Sequence, residues 1–215
     1  MEKSKFTRHL EKCLAAEPAP PVQAVKFKLK KLNELSKPRK AIGPAKAFLL
    51  EIKDGPYWIY VLARADASLA DLDDFLRDLW LECCDHLSAF KIAGKRFRGS
   101  AFDQLDMGVR LDKVLSPKLG FDYQYDFGST THLKGKVVKE LETSRPEKVR
   151  LLARNADLEQ ACSECGKPAT EVCTECLWND AGWLCAACAP EHACGEDRLL
   201  SVVNSPRCGV CGYTG

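Results

Sequence analysis

A chain of 215 residues with 46% hydrophobic and 29% charged residues has the composition of a soluble globular protein. It has no apolar run near the roughly 20 residues that a membrane-spanning helix needs, and charged residues interrupt its first dozen positions, so neither a membrane anchor nor a secretory signal peptide is expected. The sequence therefore predicts a cytoplasmic protein. In a reducing compartment, pairs of cysteines separated by two residues are more typical of metal binding than of disulfides.

The net charge of +2 is unevenly distributed. Residues 1–46 contain twelve Lys and Arg against four acidic residues, a net charge of +8, which leaves −6 for the rest. This basic leader contains two weak helical patterns around a proline-rich break. It is either a solvated, partly disordered segment or an arm that contacts nucleic acid or an acidic partner. DNA binding through the arm predicts an affinity that falls steeply with salt.

Residues 47–155 are predicted to form an α+β domain with a mixed or antiparallel sheet and one prominent helix. Phe48–Ile52 and Tyr57–Leu62 suit two strands joined by a turn. Ser68 is a candidate N-cap, and Asp71 three residues later completes an acidic variant of the capping box. The helix that follows has one apolar stripe, formed by Leu69, Leu72, Phe75, Leu76, Leu79 and Trp80.

After the helix, the sequence predicts further strands and a shorter helix or turn. Four aromatic residues alternate with polar ones, which places them on one face of a strand that forms part of the core. They are Phe121, Tyr123, Tyr125 and Phe127. The remaining predicted elements are a strand over Ala89–Phe97, a helix or turn within Met107–Leu115, a strand over His132–Leu141 and a last strand over Lys148–Ala153.

Residues 156–215 contain nine of the twelve cysteines and are predicted to be a small zinc-binding module. The spacing reads C-x2-C-x7-C-x2-C-x8-C-x2-C-x3-H-x-C, followed by one more C-x2-C. Zn²⁺ takes four thiolate or imidazole ligands in a tetrahedron, so two such pairs close one structural site. The candidate ligands are Cys162, Cys165, Cys173, Cys176, Cys185, Cys188, His192, Cys194 and Cys211.

Two pairings fit this spacing. Neighbouring pairs could share an ion as in a zinc ribbon, or alternate pairs could share one as in the cross-brace of B-box-like modules. The spacing favours the cross-brace, with the first and third pairs at one ion. Cys173, Cys176 and His192 would hold the second ion, and either Cys194 or Cys211 would complete it. We further expect Trp178, Trp183 and Leu184 to pack over the two structural zinc ions.

Four blocks of sequence carry a family resemblance: residues 57–61, 67–72, 85–90 and the Tyr-Gln-Tyr-Asp-Phe-Gly of 123–128. Together they resemble the plasmid Ri open-reading-frame-three family, whose members are often described as insertion-sequence passenger or resolvase-like proteins. Some members also end in a zinc segment and a tail similar to residues 204–213, in which a cysteine at position 208 is not required. The resemblance implies an α+β fold and a mobile-element setting.

The chain departs from that family after Gly128, where members usually continue with acidic residues, a Trp and a His. No pattern typical of a recombinase active site is present. The leading hypothesis is therefore a non-enzymatic binding module whose partner is a protein or a nucleic acid. The alternative is an enzyme that processes nucleic acid at a polar cleft, which would have to gather Asp85, His86, Asp126 and His132.

Overall fold

The computed structural model describes residues 43–98, 105–179 and 181–215. The basic leader predicted at residues 1–46 lies, up to residue 42, outside the described part of the chain. Within the described part, no helix has both the length and the apolar character needed to cross a membrane.

The body is a seven-stranded sheet in the order β4-β3-β5-β6-β1-β2-β7, in which each pair of neighbouring strands is antiparallel. With the helix described below, this confirms the predicted α+β class. The first two strands form the expected hairpin, because Asp54 pairs with Tyr57 across the turn. The strands are β1 (Ala45–Asp54), β2 (Tyr57–Arg64), β3 (Ser88–Ile92), β4 (Lys95–Arg98), β5 (Gly120–Tyr125), β6 (Thr131–Thr143) and β7 (Val149–Arg154).

One helical segment of 13 residues covers one face of the sheet. It begins as helix α1 (Leu69–Leu76) and continues as a π-helical turn over Arg77–Leu81. The predicted capping box is confirmed: the Asp71 N–H donates to Ser68 Oγ at 3.1 Å, and the Ser68 N–H donates to Asp71 Oδ2 at 2.8 Å. The apolar stripe packs into the core, in which Trp80 is the largest fully buried side chain. A second helix, α2 (Leu111–Val114), lies where a short helix or turn was expected.

The prediction of one strand over Ala89–Phe97 is wrong, because the chain reverses in its middle. Ala93 and Gly94 have φ values of 48° and 78°, and two successive left-handed residues form the tight turn that matches the twist of a hairpin. The segment is therefore split into β3 and β4, which pair with each other.

Three of the four alternating aromatic residues occupy the core, as predicted, and the fourth does not. Phe121, Tyr123 and Tyr125 are buried, whereas Phe127 is 37% exposed. The cause is Asp126, whose φ of 62° ends the regular alternation. The hydroxyl of Tyr123 donates to Asp73 Oδ1 at 2.7 Å, and burial together with this carboxylate raises the pKa of Tyr123 well above its usual value.

Replacing Gly135 with Ala is expected to lower the free energy of unfolding by about 1–3 kcal/mol, as overpacking does in other cores. Gly135 faces Phe121 across β5 and β6, and an added Cβ would lie 2.1 Å from Phe121 Cζ. The buried ring would have to move. Urea denaturation measures the loss, and Gly43→Ala is the matched control because nothing lies within 4 Å of its Cβ position. Equal stability of the two variants would contradict the expectation.

Residues 156–215 form little regular structure. A three-stranded sheet in the order β10-β8-β9 is built from β8 (Glu171–Cys173), β9 (Trp183–Leu184) and β10 (Leu199–Ser201). Among the described residues of this region, half of the buried hydrophobic positions are cysteines: they are Cys162, Val172, Cys173, Leu184, Cys185, Ala189, Cys208 and Tyr213. So few large apolar side chains give this region little hydrophobic stabilisation of its own.

Candidate metal centres

The first and third cysteine pairs meet at one point. Each pair lies in a tight turn: the Gly166 N–H donates to the Cys162 carbonyl at 2.9 Å, and the Cys188 N–H donates to the Cys185 carbonyl at 3.0 Å. The four sulfurs all lie within 4.8 Å of one another, with Cys165 Sγ 3.6 Å from Cys185 Sγ. Spacings of this size are those of thiolates around one tetrahedral ion, because two Zn–S bonds of about 2.3 Å place their sulfurs somewhat less than 4 Å apart.

The second cysteine pair meets His192 and Cys194. Cys173, at the end of β8, and Cys176, at the start of a 3₁₀ turn, bring their sulfurs within 4.8 Å of the His192 and Cys194 ligand atoms. Cys176 Sγ lies 3.5 Å from His192 Nε2 and 3.6 Å from Cys194 Sγ. The order of ligands along the chain is thus interleaved, as in a cross-brace.

Protons are shared unevenly within these clusters. Burial acts to raise the pKa of Cys162, but backbone N–H groups, including that of Cys185, outweigh it and lower the pKa to about 6. The same balance lowers the pKa of Cys173 to about 7. By contrast, hydrogen bonding to the thiols of Cys165 and Cys185 raises the pKa of Cys188 to about 12. A divalent cation that replaces the shared protons would satisfy all four ligand atoms of a cluster together.

Cys194 and Cys211, the two candidates for the fourth ligand beside Cys173, Cys176 and His192, lie in different places. Cys194 lies with Cys173, Cys176 and His192, whereas Cys211 lies in a different cluster. Cys208 belongs to neither: its buried sulfur accepts the N–H of Val203 at 3.4 Å.

A third cluster was not predicted. Cys83, Cys84 and His86, which follow the π-helical turn, lie with Cys211 so that all four ligand atoms are within 4.8 Å of one another. The sequence signal available was the short C-C-x-H spacing. This short pattern alone is better explained by structural thiols and a hydrogen-bonded histidine than by a metal site. The fourth member of the cluster, Cys211, is 125 residues away from His86 along the chain.

The expected packing of aromatic residues over the clusters is wrong for Trp178. Leu184 is buried and Trp183 is half-buried, but Trp178 is 67% exposed. It lies on the 3₁₀ turn that begins at Cys176, so one candidate metal cluster and one exposed indole share the same short element.

The four residues of the alternative enzyme site are not gathered at one point, because only His86 and Asp126 approach each other. Asp85 pairs with Arg77 at 2.6 Å, and its side chain is 95% exposed. His132 lies 3.3 Å from Asp122, on the sheet face opposite buried Leu133. His86 Nε2 lies 3.6 Å from Asp126 Oδ2, but that carboxylate is already paired with an arginine.

That arginine is Arg207, which is 0% exposed. One of its terminal nitrogens donates to Asp126 Oδ2 at 2.8 Å and to Cys83 Sγ at 3.4 Å, and the other donates to Thr131 Oγ1 at 3.1 Å. Its guanidinium lies 4.9 Å from the centre of the Tyr125 ring. Burial acts to raise the pKa of Asp126, but the hydrogen bonds from Arg207 and from the backbone N–H groups of Gly128 and Ser129 together outweigh it and lower the pKa.

Arg207 lies in residues 202–213, here called the C-terminal tail, which contacts both parts of the structure. Ser205 Oγ donates to the Trp80 carbonyl of the body at 2.6 Å. Gly209 has a φ of 78°, and an added Cβ there would lie 2.7 Å from Leu177 Cδ2. The tail is therefore packed between the body and the cysteine-rich region.

Comparison with known proteins gives no functional assignment. The sequence matches no known family and no curated protein. Part of the fold is similar to the crystal structure of MM3350, a protein of unknown function from Methanosarcina mazei Go1, with 19% sequence identity and a TM-score of 0.44 over 52% of this chain and 69% of that one. A likeness at this level supports no conclusion about function.

Proposed function

We propose that the protein is a non-enzymatic binding module stabilised by two structural zinc ions. Zn²⁺ is the metal best matched to closed sites of thiolate and imidazole. The main support is that each cluster supplies four protein ligands. A tetrahedral ion bound by all four would have no coordination position left for a substrate. The first ion would be bound by Cys162, Cys165, Cys185 and Cys188, and the second by Cys173, Cys176, His192 and Cys194.

Charge favours a protein over a nucleic acid as the partner of the zinc module. Residues 156–215 contain nine acidic residues against three Lys and Arg, a net charge of −6. One of the three, Arg207, is buried and paired. Such a surface repels phosphate, whereas a basic protein surface would complement it. Exposed Trp178 is the natural anchor, because tryptophan is enriched among the residues that contribute most to protein interfaces.

The positions of the candidate catalytic residues and of the cysteine clusters favour a binding module over the enzyme hypothesis. Asp85 pairs with Arg77 and His132 with Asp122, and the one close approach, that of His86 to Asp126, involves a carboxylate that Arg207 already neutralises. With four protein ligands in each cluster, a bound metal would have no open position at which to activate water. The mobile-element setting follows from the family resemblance alone and forms part of the proposal on that basis.

Native mass spectrometry of the full chain in reducing buffer tests the two sites. We expect Cys162→Ser and Cys173→Ser each to bind one zinc fewer than the wild type, because each removes one ligand from a different tetrahedral site. Cys208→Ser is the control and should keep the full number, since Cys208 lies outside the clusters. An unchanged zinc count in Cys162→Ser and Cys173→Ser would refute the proposal.

Fluorescence anisotropy with labelled single-stranded and duplex DNA then separates the two classes of partner. A variant that lacks residues 1–42 should show no DNA affinity at low salt if the acidic module binds protein. Salt-sensitive DNA binding that survives this deletion would place a nucleic-acid surface within residues 43–215 and would exclude the protein-partner interpretation.

A further inference from the structure

The third cluster joins two distant segments of the chain. Cys83, Cys84 and His86 follow the helical segment of the body, and Cys211 lies in the C-terminal tail. His86 Nε2 is 3.2 Å from Cys211 Sγ, and the Cys84 thiol points to the Cys211 carbonyl at 3.9 Å. Three sulfurs and one imidazole nitrogen thus lie within the span of a single tetrahedral site.

Apolar burial does not account for this grouping. Free cysteines are usually among the most buried residues, yet Cys84 and Cys211 are exposed while Cys83 and His86 are only half-buried. Three thiols beside an imidazole at the surface are susceptible to oxidation when no metal is bound. A bound ion is the simplest reason for holding them together.

The backbone is bent to bring the ligands together. Asp85, between Cys84 and His86, has a φ of 57°, and Cys211 has a φ of 51°. Residues other than glycine rarely adopt this left-handed conformation, because it brings Cβ too close to the following carbonyl oxygen. At Asp85 it is held from both sides, because its N–H donates to Glu82 Oε1 at 2.6 Å and its carboxylate accepts from Arg77 at 2.6 Å.

Contacts around the cluster resemble the outer shell of a metal site. Arg207 donates to Cys83 Sγ at 3.4 Å, and the backbone N–H of His86 donates to the Tyr125 hydroxyl at 3.3 Å. The rings of His86 and Tyr125 meet edge to face, with their centroids 5.8 Å apart. Contacts of this kind orient ligand side chains and stabilise a bound thiolate.

We propose that Cys83, Cys84, His86 and Cys211 bind a third zinc ion, which fastens the C-terminal tail to the body. Four protein ligands close the site, so this ion too is structural. It is separate from the two ions of the zinc module, because the three clusters share no residue.

The test is the zinc stoichiometry of the full chain by native mass spectrometry in reducing buffer. We expect three ions in the wild type and in Cys208→Ser, but two in Cys84→Ser and in Cys211→Ser. Two ions in the wild type, or three in either site variant, would overturn the proposal. A wild type with two ions and a mass lower by two hydrogens would assign the cluster to a disulfide instead.

A second experiment uses only the wild-type protein, so its result does not depend on whether a cysteine variant folds. Cobalt(II) titrated into the metal-free protein should raise the thiolate-to-metal absorbance until three equivalents are bound, whereas saturation at two would reject the third site. The result is distinguishable from failure of the proposed function, because Cys162→Ser and Cys173→Ser lose one ion each whether or not the third site exists.

Discussion

Replacing Arg207 with Met is expected to lower the free energy of unfolding by about 3–5 kcal/mol, the usual cost of removing one partner of a buried ion pair. The guanidinium is 0% exposed and donates to the buried carboxylate of Asp126 at 2.8 Å. Methionine fills much of the same volume but leaves Asp126 buried, and among the described residues its one remaining cationic partner is His86, 3.6 Å away and charged only when protonated. Urea denaturation in the presence of zinc measures the loss.

A control and a double variant make the interpretation specific. Arg110→Met breaks an exposed pair with Asp112 and should cost less than about 1 kcal/mol. Asp126→Asn combined with Arg207→Met should recover part of the loss, because no unpaired buried charge remains. If Arg207→Met were no more destabilising than Arg110→Met, the buried pair would not anchor the tail.

Removing the metal with a chelator should unfold the cysteine-rich region and leave the seven-stranded sheet folded. Each structural zinc is expected to contribute on the order of 10 kcal/mol of folding free energy, as in zinc-finger peptides. The region has little else to stabilise it, since half of its described buried hydrophobic positions are cysteines. Hydrogen exchange read by mass spectrometry should show β8, β9 and β10 exchanging like an unfolded chain after chelation.

The strands of the body serve as the internal control, because Leu50, Ile59 and Val61 are fully buried in a core that contains no cysteine ligand of the module. Their amides should stay protected with and without chelator, and added zinc should restore protection in the module. Slow exchange in β8–β10 after complete metal loss would show that the region folds without an ion.

Local signals made the helix and its cap predictable. Ser68 and Asp71 are three residues apart, and the apolar stripe follows within the same segment, so short-range periodicity contains the whole pattern. Phe127 was misplaced because the left-handed conformation of Asp126 leaves the alternation of residue types unchanged. The strand order of the sheet also had no local signature, since it depends on pairings between distant segments.

The candidate metal clusters likewise include members that local sequence patterns indicate and one member, Cys211, that they do not place. Cysteine pairs separated by two residues are visible in the sequence as candidate ligands, and the interleaved spacing indicated which pairs meet. The position of Cys211 could not be predicted, because it depends on how the tail returns to the body beside His86. That return is fixed by Arg207 and its buried partner, which no periodicity connects.

The arginine that neutralises Asp126 is synthesised after every strand of the body. All seven strands of the body are complete at Arg154, but Arg207 is translated long afterwards. At the usual ~5–20 residues per second, a nascent body therefore waits several seconds with a buried carboxylate that has no arginine beside it. A product terminated before Arg207 would keep that defect permanently, and cellular proteases would encounter a loosened domain rather than a finished one.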